Sequence, residues 1–288
     1  CEEGRHIAWE RNRSVHGPIA LENRVAYIDT ALDQVVVIDL HNDLPTVMRY
    51  NIGRNAIFVR PSLDSQRLAV ITRGEEAIVE GEVDEDPFLW IIDPSSPDSA
   101  VISYPIGSPF DQLTLSEDGS TAIAYFSTSG PDAAGFFRNP NEMAIIDLHR
   151  EADETNPTLK NIRSFGTSTE GIVLSPPIVI PGAADPTPRI FAFVLAQNNV
   201  TIIDATYPER NEVSIRLDSV GTRVIPREIL FAPLAATAYL RSENARDVLE
   251  IIINPDPPAT SAATENDYHP SLAELGAGST PTDIEVYD

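Results

Sequence analysis

Four carboxylates stand near the start of successive apolar segments: Asp111, Glu170, Glu228 and Asp283. The fifth such place carries Arg54 and Asn55. Carboxylates converging from separate segments can bind Ca²⁺ through oxygen ligands, weakly when no single loop organises them. A close pair can also perform acid–base work on a sugar or lactone. Such placements also arise from composition alone in a chain with 44 Asp plus Glu. No sharper motif competes. Gly-x-Ser-x-Gly, a phosphate loop and His-Glu-x-x-His are all missing from the sequence. The acidic tract 75–86 lacks the Asp-x-Asp-x-Asp-Gly spacing of a calcium loop and reads as a solvated charge run.

The 44 acids oppose 20 Lys plus Arg, a formal charge of −24. That surface repels phosphate backbones, so nucleic acid is excluded as a partner class. The single cysteine is Cys1, so no intrachain disulfide exists. A lone Cys ahead of the polar tract 2–16 is the arrangement expected of a lipidated tether. Residues 1–16 are therefore expected to be a tether, possessing the only membrane attachment, and 17–288 one repeat domain. No apolar run approaches the ~20 residues that span a bilayer as a helix.

The elements that would position these groups follow from a repeat. Five apolar runs end in Ile-Asp or a near equivalent: QVVVIDL (34–40), FLWIIDP (88–94), EMAIIDL (142–148), NVTIIDA (199–205) and VLEIIINP (248–255). Their anchors are Asp39, Asp93, Asp147, Asp204 and Asn254, at intervals of 54, 54, 57 and 50. Several short strands per period of roughly 40–55 residues indicate a propeller-type array. The second period shows all four strands: 55–61, 67–73, 88–94 and 99–107. The expected fold is all-β, a β-propeller of about five four-stranded antiparallel blades. The Asp at each run's end is suited to accept N–H groups of the following turn. The paired Asp-Leu-His at 39–41 and 147–149 falls in equivalent positions of different blades, which is too far apart for one metal.

LSEDGSTAIAYF (115–126) and RVAYIDTALDQVVVIDL (24–40) resemble the repeat of the YVTN, lactonase-like propellers. Cys1 resembles the mature end of a bacterial lipoprotein. The repeat, the missing catalytic motifs and Cys1 together lead to the expectation of a non-catalytic binding or scaffold propeller exported to the bacterial cell envelope, at the outer membrane, the cell surface or the periplasm. Its partner would be a protein or small molecule. Two other readings stand beside it: a lactonase-like or glycosidase-like hydrolase using Asp111, Glu170, Glu228 and Asp283, which with Arg54 are expected at the mouth of the propeller channel, and a piece of a larger envelope protein.

The strand following each Gly should line the channel, giving inner strands at 55–61, 110–116, 170–175, 227–232 and 282–288. Pairing 282–288 with the strand 24–30 would close five blades and leave no raw sheet edge. In the other arrangement GPIAL (17–21) is the first inner strand, and the chain is an open arc of a larger, for example seven-bladed, ring. The loops 74–87, 128–141, 175–188 and 254–270 are expected to project as irregular segments.

Overall fold

The structure is a computed structural model describing residues 15–41, 44–75, 84–95, 101–126, 139, 141–149, 157–162, 169–217, 224–232, 235–243, 245–256 and 265–286. Cys1, the expected tether as far as residue 14 and most of the acidic tract 75–86 lie outside them, whereas Val15 and His16, expected in the tether, belong to a strand and lie opposite Asp29 and Ile28. Among the described residues there is no helix. The described residues form twenty strands in five four-stranded antiparallel sheets, each a consecutive meander, the blade pattern of a propeller.

The first sheet is β1 (Val15–Leu21), β2 (Arg24–Asp29), β3 (Gln34–Asp39) and β4 (Thr46–Asn51). The second is β5 (Ala56–Pro61), β6 (Leu68–Thr72), β7 (Phe88–Ile92) and β8 (Val101–Pro105). The third is β9 (Gln112–Leu115), β10 (Thr121–Tyr125), β11 (Glu142–Asp147) and β12 (Thr158–Asn161). The fourth is β13 (Thr169–Leu174), β14 (Phe191–Ala196), β15 (Asn199–Asp204) and β16 (Val213–Arg216). The fifth is β17 (Pro226–Phe231), β18 (Thr237–Ser242), β19 (Asp247–Pro255) and β20 (Tyr268–Gly276).

The chain divides into two compact units, Cys1–Leu113 with Ile146–Pro157, and Thr114–Ile145 with Thr158–Asp288. In the first, Ala26, Ile28, Val35 and Val37 pack on Leu68, Val70 and Ile92. In the second, β14 serves two cores, because successive side chains on a strand point to opposite faces. Ala192 and Val194 join Ile123, Met143, Ile145 and Ile172. Phe191, Phe193 and Leu195 join Ala238, Leu240 and Ile251 of the fifth sheet. All six residues of β14 and all six of β15 are buried. This explains why both read as nearly continuous apolar runs.

Two expectations are corrected. Residues 281–286 form no strand, so 282–286 is not part of an inner strand paired with β2. β1 takes that place: Leu21 lies opposite Arg24 and Ile19 opposite Ala26. The segment 175–188 does not simply project. Ile178 and Ile180 are buried in the core of the fourth and fifth sheets, and Ile178 and Arg189 exchange backbone hydrogen bonds at 2.8 Å. Two aliphatics spaced two apart in a Pro-rich stretch can insert one face into a core without joining a sheet.

Candidate functional site

Each Ile-Asp anchor ends a strand through the turn that follows. Asp39 Oδ1 accepts the His41 N–H at 2.8 Å. Asp93 Oδ1 accepts from Ser95 at 2.9 Å, and Asp147 Oδ1 from His149 at 3.0 Å. Asp204 Oδ1 accepts from both Thr206 and Tyr207, at 3.1 and 3.0 Å. These are Asx turns, and they turn the chain out of the ladder. The His41 bond, with the Arg24 guanidinium 3.0 Å from Oδ2, holds the Asp39 carboxyl below the usual carboxylate range.

Asn254 is not the fifth member of this set. The N–H following the anchor bonds the carbonyl before the preceding strand: Leu40 to Asn23, and Ala205 to Ile190. In the fifth sheet the same bond runs from Ile253 to Ala236, which makes Ile252 the equivalent of Asp204. The outer ladder agrees, since Leu217 N–H bonds the Asn198 carbonyl and Ala277 N–H bonds the Arg246 carbonyl. Those carbonyls lie six residues before Asp204 and Ile252 respectively. Asn254 instead donates Nδ2 to Ser271 Oγ at 2.9 Å.

The sequence-selected acids do not form one set either. The first strands of the fourth and fifth sheets each carry a bulge, between Thr169 and Gly171 and between Pro226 and Glu228. Glu170 is the extra residue of its bulge, and its counterpart is Arg227. Glu228 instead matches Gly171. A one-residue slip changes the face a side chain occupies. Glu228 is ion-paired to Arg241 Nε at 2.9 Å, and Glu170 is exposed. Asp283 lies outside any strand and is exposed, and Asp111 directly precedes β9. Among the described residues no three Asp, Glu, His or Cys side chains come together as a metal site would require.

Arg54 sits in a local acidic pocket of the first unit. Its guanidinium pairs with Glu75, its Nε lies 3.7 Å from Glu85 Oε2, and its backbone N–H donates to Glu85 Oε1 at 2.9 Å. Backbone bonds between Glu75 and Glu85, at 3.1 and 2.9 Å, bring both acids to Arg54. Desolvation and the nearby Glu85 charge raise the Asp33 carboxyl above its ordinary range. Two glycines make room. A Cβ on Gly74, at φ +75°, would fall 1.8 Å from the Glu85 carbonyl oxygen. One on Gly53 would fall 2.7 Å from Glu85 Oε1 and from Thr72 Oγ1, which accepts the Trp90 indole N–H at 2.9 Å.

A buried ion-pair network, which sequence reading missed, lies in the second unit. Arg189, 1% exposed, makes a bidentate pair with Asp267, Nη1–Oδ1 2.6 Å and Nη2–Oδ2 2.7 Å. Its Nη1 also approaches Asp204 Oδ2 at 3.4 Å. Arg210 Nη1 reaches Asp267 Oδ1 at 2.6 Å and Asp204 Oδ2 at 3.6 Å. The Tyr207 ring lies beside both guanidinium carbons, 5.4 Å from that of Arg189 and 4.4 Å from that of Arg210. Burial raises the Asp204 carboxyl, while the Arg189 hydrogen bonds lower that of Asp267. Tyr268 stacks edge-on against Phe191 at 5.2 Å, and burial pushes its phenol far up. Only Asp204 carried a sequence signal, as an Ile-Asp anchor. Asp267 lies 78 residues from Arg189, and nothing local links them.

Among the described residues the histidines are not gathered into a centre. His41 and His149 are exposed beside their Asx turns, and His269 Nδ1 lies 2.7 Å from Asp256 Oδ1.

A comparison with protein-family models finds no match, and neither does one with curated protein sequences. Among solved structures, a functionally unknown protein from Desulfotomaculum acetoxidans is similar at 18% identity and a TM-score of 0.40, over 82% of this chain and 64% of that one. The β-propeller domain of Cps50 (Swd1) from "Myceliophteria thermophila" is similar at 12% identity and a TM-score of 0.41, over 87% and 67%. Hsv2 of Kluyveromyces lactis gives 8% identity and a TM-score of 0.46, over 92% and 74%. The chain thus spans about two thirds to three quarters of the length of these structures.

Proposed function

We propose that this chain is a non-catalytic binding or scaffold protein of the bacterial cell envelope, attached through lipid on Cys1. The observation that carries the non-catalytic reading is how the conspicuous charges are used. Arg54 is engaged by Glu75 and Glu85, Glu228 by Arg241, and Asp204 and Asp267 by Arg189 and Arg210. Groups committed to fixed ion pairs hold sheets and turns in place. A general acid or base needs a free lone pair or proton within reach of a substrate. The envelope placement rests on Cys1 as the sole thiol, ahead of a polar tract suited to a tether. The ligand is then a protein or small molecule met by the loops of an acidic surface, with nucleic acid excluded by charge.

Growth of expressing cells with an alkyne-tagged palmitate tests the attachment. Label should enter the wild type and not the Cys1→Ser variant. An unlabelled wild type contradicts the lipid anchor. A lactone and glycoside substrate panel tests the other half. Turnover that Glu228→Gln or Asp111→Asn abolishes would contradict the non-catalytic reading.

A further inference from the structure

One turn of the fourth sheet is bonded to both neighbouring sheets of the second unit. It comprises residues 205–212, between β15 and β16. Its own sheet shapes it first. Asp204 Oδ1 accepts the Thr206 and Tyr207 N–H groups, and the Arg210 N–H bonds the Tyr207 carbonyl at 3.0 Å. Thr206 Oγ1 accepts the Ile190 N–H at 2.9 Å. The Tyr207 hydroxyl donates to Asp185 Oδ2 at 3.2 Å, which ties the segment 175–188 to the turn.

The neighbouring sheets then hold two successive carbonyls of this turn. From the third sheet, Lys160 of β12, the chain's only lysine, donates Nζ to the Arg210 carbonyl. From the β19–β20 connection of the fifth sheet, Asn266 donates Nδ2 to the Asn211 carbonyl at 2.8 Å. Asp267, next in sequence, takes the Arg210 guanidinium at 2.6 Å. Lys160 is half-buried, and desolvation holds its amine below the ordinary lysine range against the pull of Glu212, Glu209 and Asp204. An amine partly removed from water gains most from a fixed acceptor. The turn after Asp39 behaves differently. Among the described residues its bonds, Asp39 with Arg24 and His41 and Leu40 with Asn23, stay within the first sheet.

We infer that residues 205–212 form a latch that couples the third sheet to the fifth, closing and opening as one element. Closed, the turn is gripped by Lys160 on one sheet and by Asn266 and Asp267 on the other. Released at either carbonyl, it loosens its hold on both sheets. Segments that open together share one opening free energy in amide exchange, and coupling between two sites is reciprocal.

Amide hydrogen exchange of the folded protein tests this in both directions. Lys160→Met removes the third-sheet donor and is read at the end of β19, where the Asp256 N–H bonds the Asp267 carbonyl at 2.7 Å. Asn266→Ala removes the fifth-sheet donor and is read at the end of β12, where the Ile162 N–H bonds the Asn141 carbonyl at 2.8 Å. Each substitution should speed exchange at Tyr207 and Arg210 and, by a similar factor, at the reporter in the other sheet. The buried Val36 amide of the first sheet should keep its wild-type rate. Acceleration confined to the substituted residue's own sheet overturns the inference, and so does no acceleration. A uniform rise that includes Val36 overturns it as well, because only global stability has then changed.

Discussion

Ile252 occupies in the fifth sheet the position that Asp204 holds in the fourth, and the two strands end differently because of it. Asp204 accepts two backbone N–H groups of the following turn, and β15 stops there. Ile252 has no acceptor to offer, so β19 runs on to Pro255 and pairs with β20 through nine residues. The anchor carboxylate is therefore the local cause of strand length. The extended ladder brings Tyr268 into the core and Asp267 to Arg189.

The same cause acts in the first sheet. Asp39→Ala removes the acceptor for His41 and the partner of Arg24, whereas Asp39→Asn keeps an oxygen for the turn. Thermal melting should order the proteins wild type, then Asn, then Ala. Equal midpoints for Asn and Ala would show that the turn bond contributes nothing.

Arg189→Met should destabilise the fold by about 3–5 kcal/mol, because it removes the buried partner of Asp267 and Asp204 and leaves both carboxylates to Arg210 alone. Urea denaturation measures this. The cost should shrink when Asp204→Asn is added, since one of the two carboxylates left to Arg210 is then uncharged. Additive costs would show that the two residues do not act as a pair.

Acid should unfold the protein through carboxylates held below their ordinary range, among them Asp267 and Asp39. A depressed folded-state pKa contributes stability above the unfolded value of about 4, and that stability is lost as pH falls through the folded value. Asp204 has the opposite sign. Its pKa is raised, so protonation favours the folded state. Melting between pH 3 and 7 should therefore give a shallower acid loss for Asp267→Asn and a steeper one for Asp204→Asn.

Gly74→Ala places a methyl group 1.8 Å from the Glu85 carbonyl oxygen, at a φ that L-residues rarely adopt. The backbone bridge between Glu75 and Glu85 must open, releasing both acids from Arg54. A loss of about 1–3 kcal/mol is expected, read by urea denaturation. A neutral effect would mean that the bridge does not hold this pocket.

Local pattern made much of the fold legible. NAIFVRP, RLAVITR and FLWII announced β5, β6 and β7 because alternation and apolar runs are set by which faces a strand buries. The Asp anchors announced their turns because an Asx turn spans only two residues. Register was less legible. The bulge at Glu170 shifts pairing by one residue and leaves no composition signal, so Glu170 and Glu228 looked equivalent. Asn254 mimicked an anchor because a shift of two residues preserves strand alternation. The Arg189–Asp267 pair was illegible for a different reason: it is a long-range contact, and charged residues are common throughout this chain.

The most direct test of this architecture is disulfide trapping across β18 and β19 in a Cys1→Ser background. Thr237 faces Ile252 in the structure, whereas equivalence of Asn254 with Asp204 would place Thr237 opposite Asn254. Directly opposed side chains stand about 4.5–5.5 Å apart at Cβ, close enough to bridge with small adjustment. Under mild oxidation, the Thr237→Cys, Ile252→Cys variant should form an intramolecular disulfide readily, and the Thr237→Cys, Asn254→Cys variant should not. The reverse outcome would contradict the register from which the strand ends and the Asp267–Arg189 pairing follow.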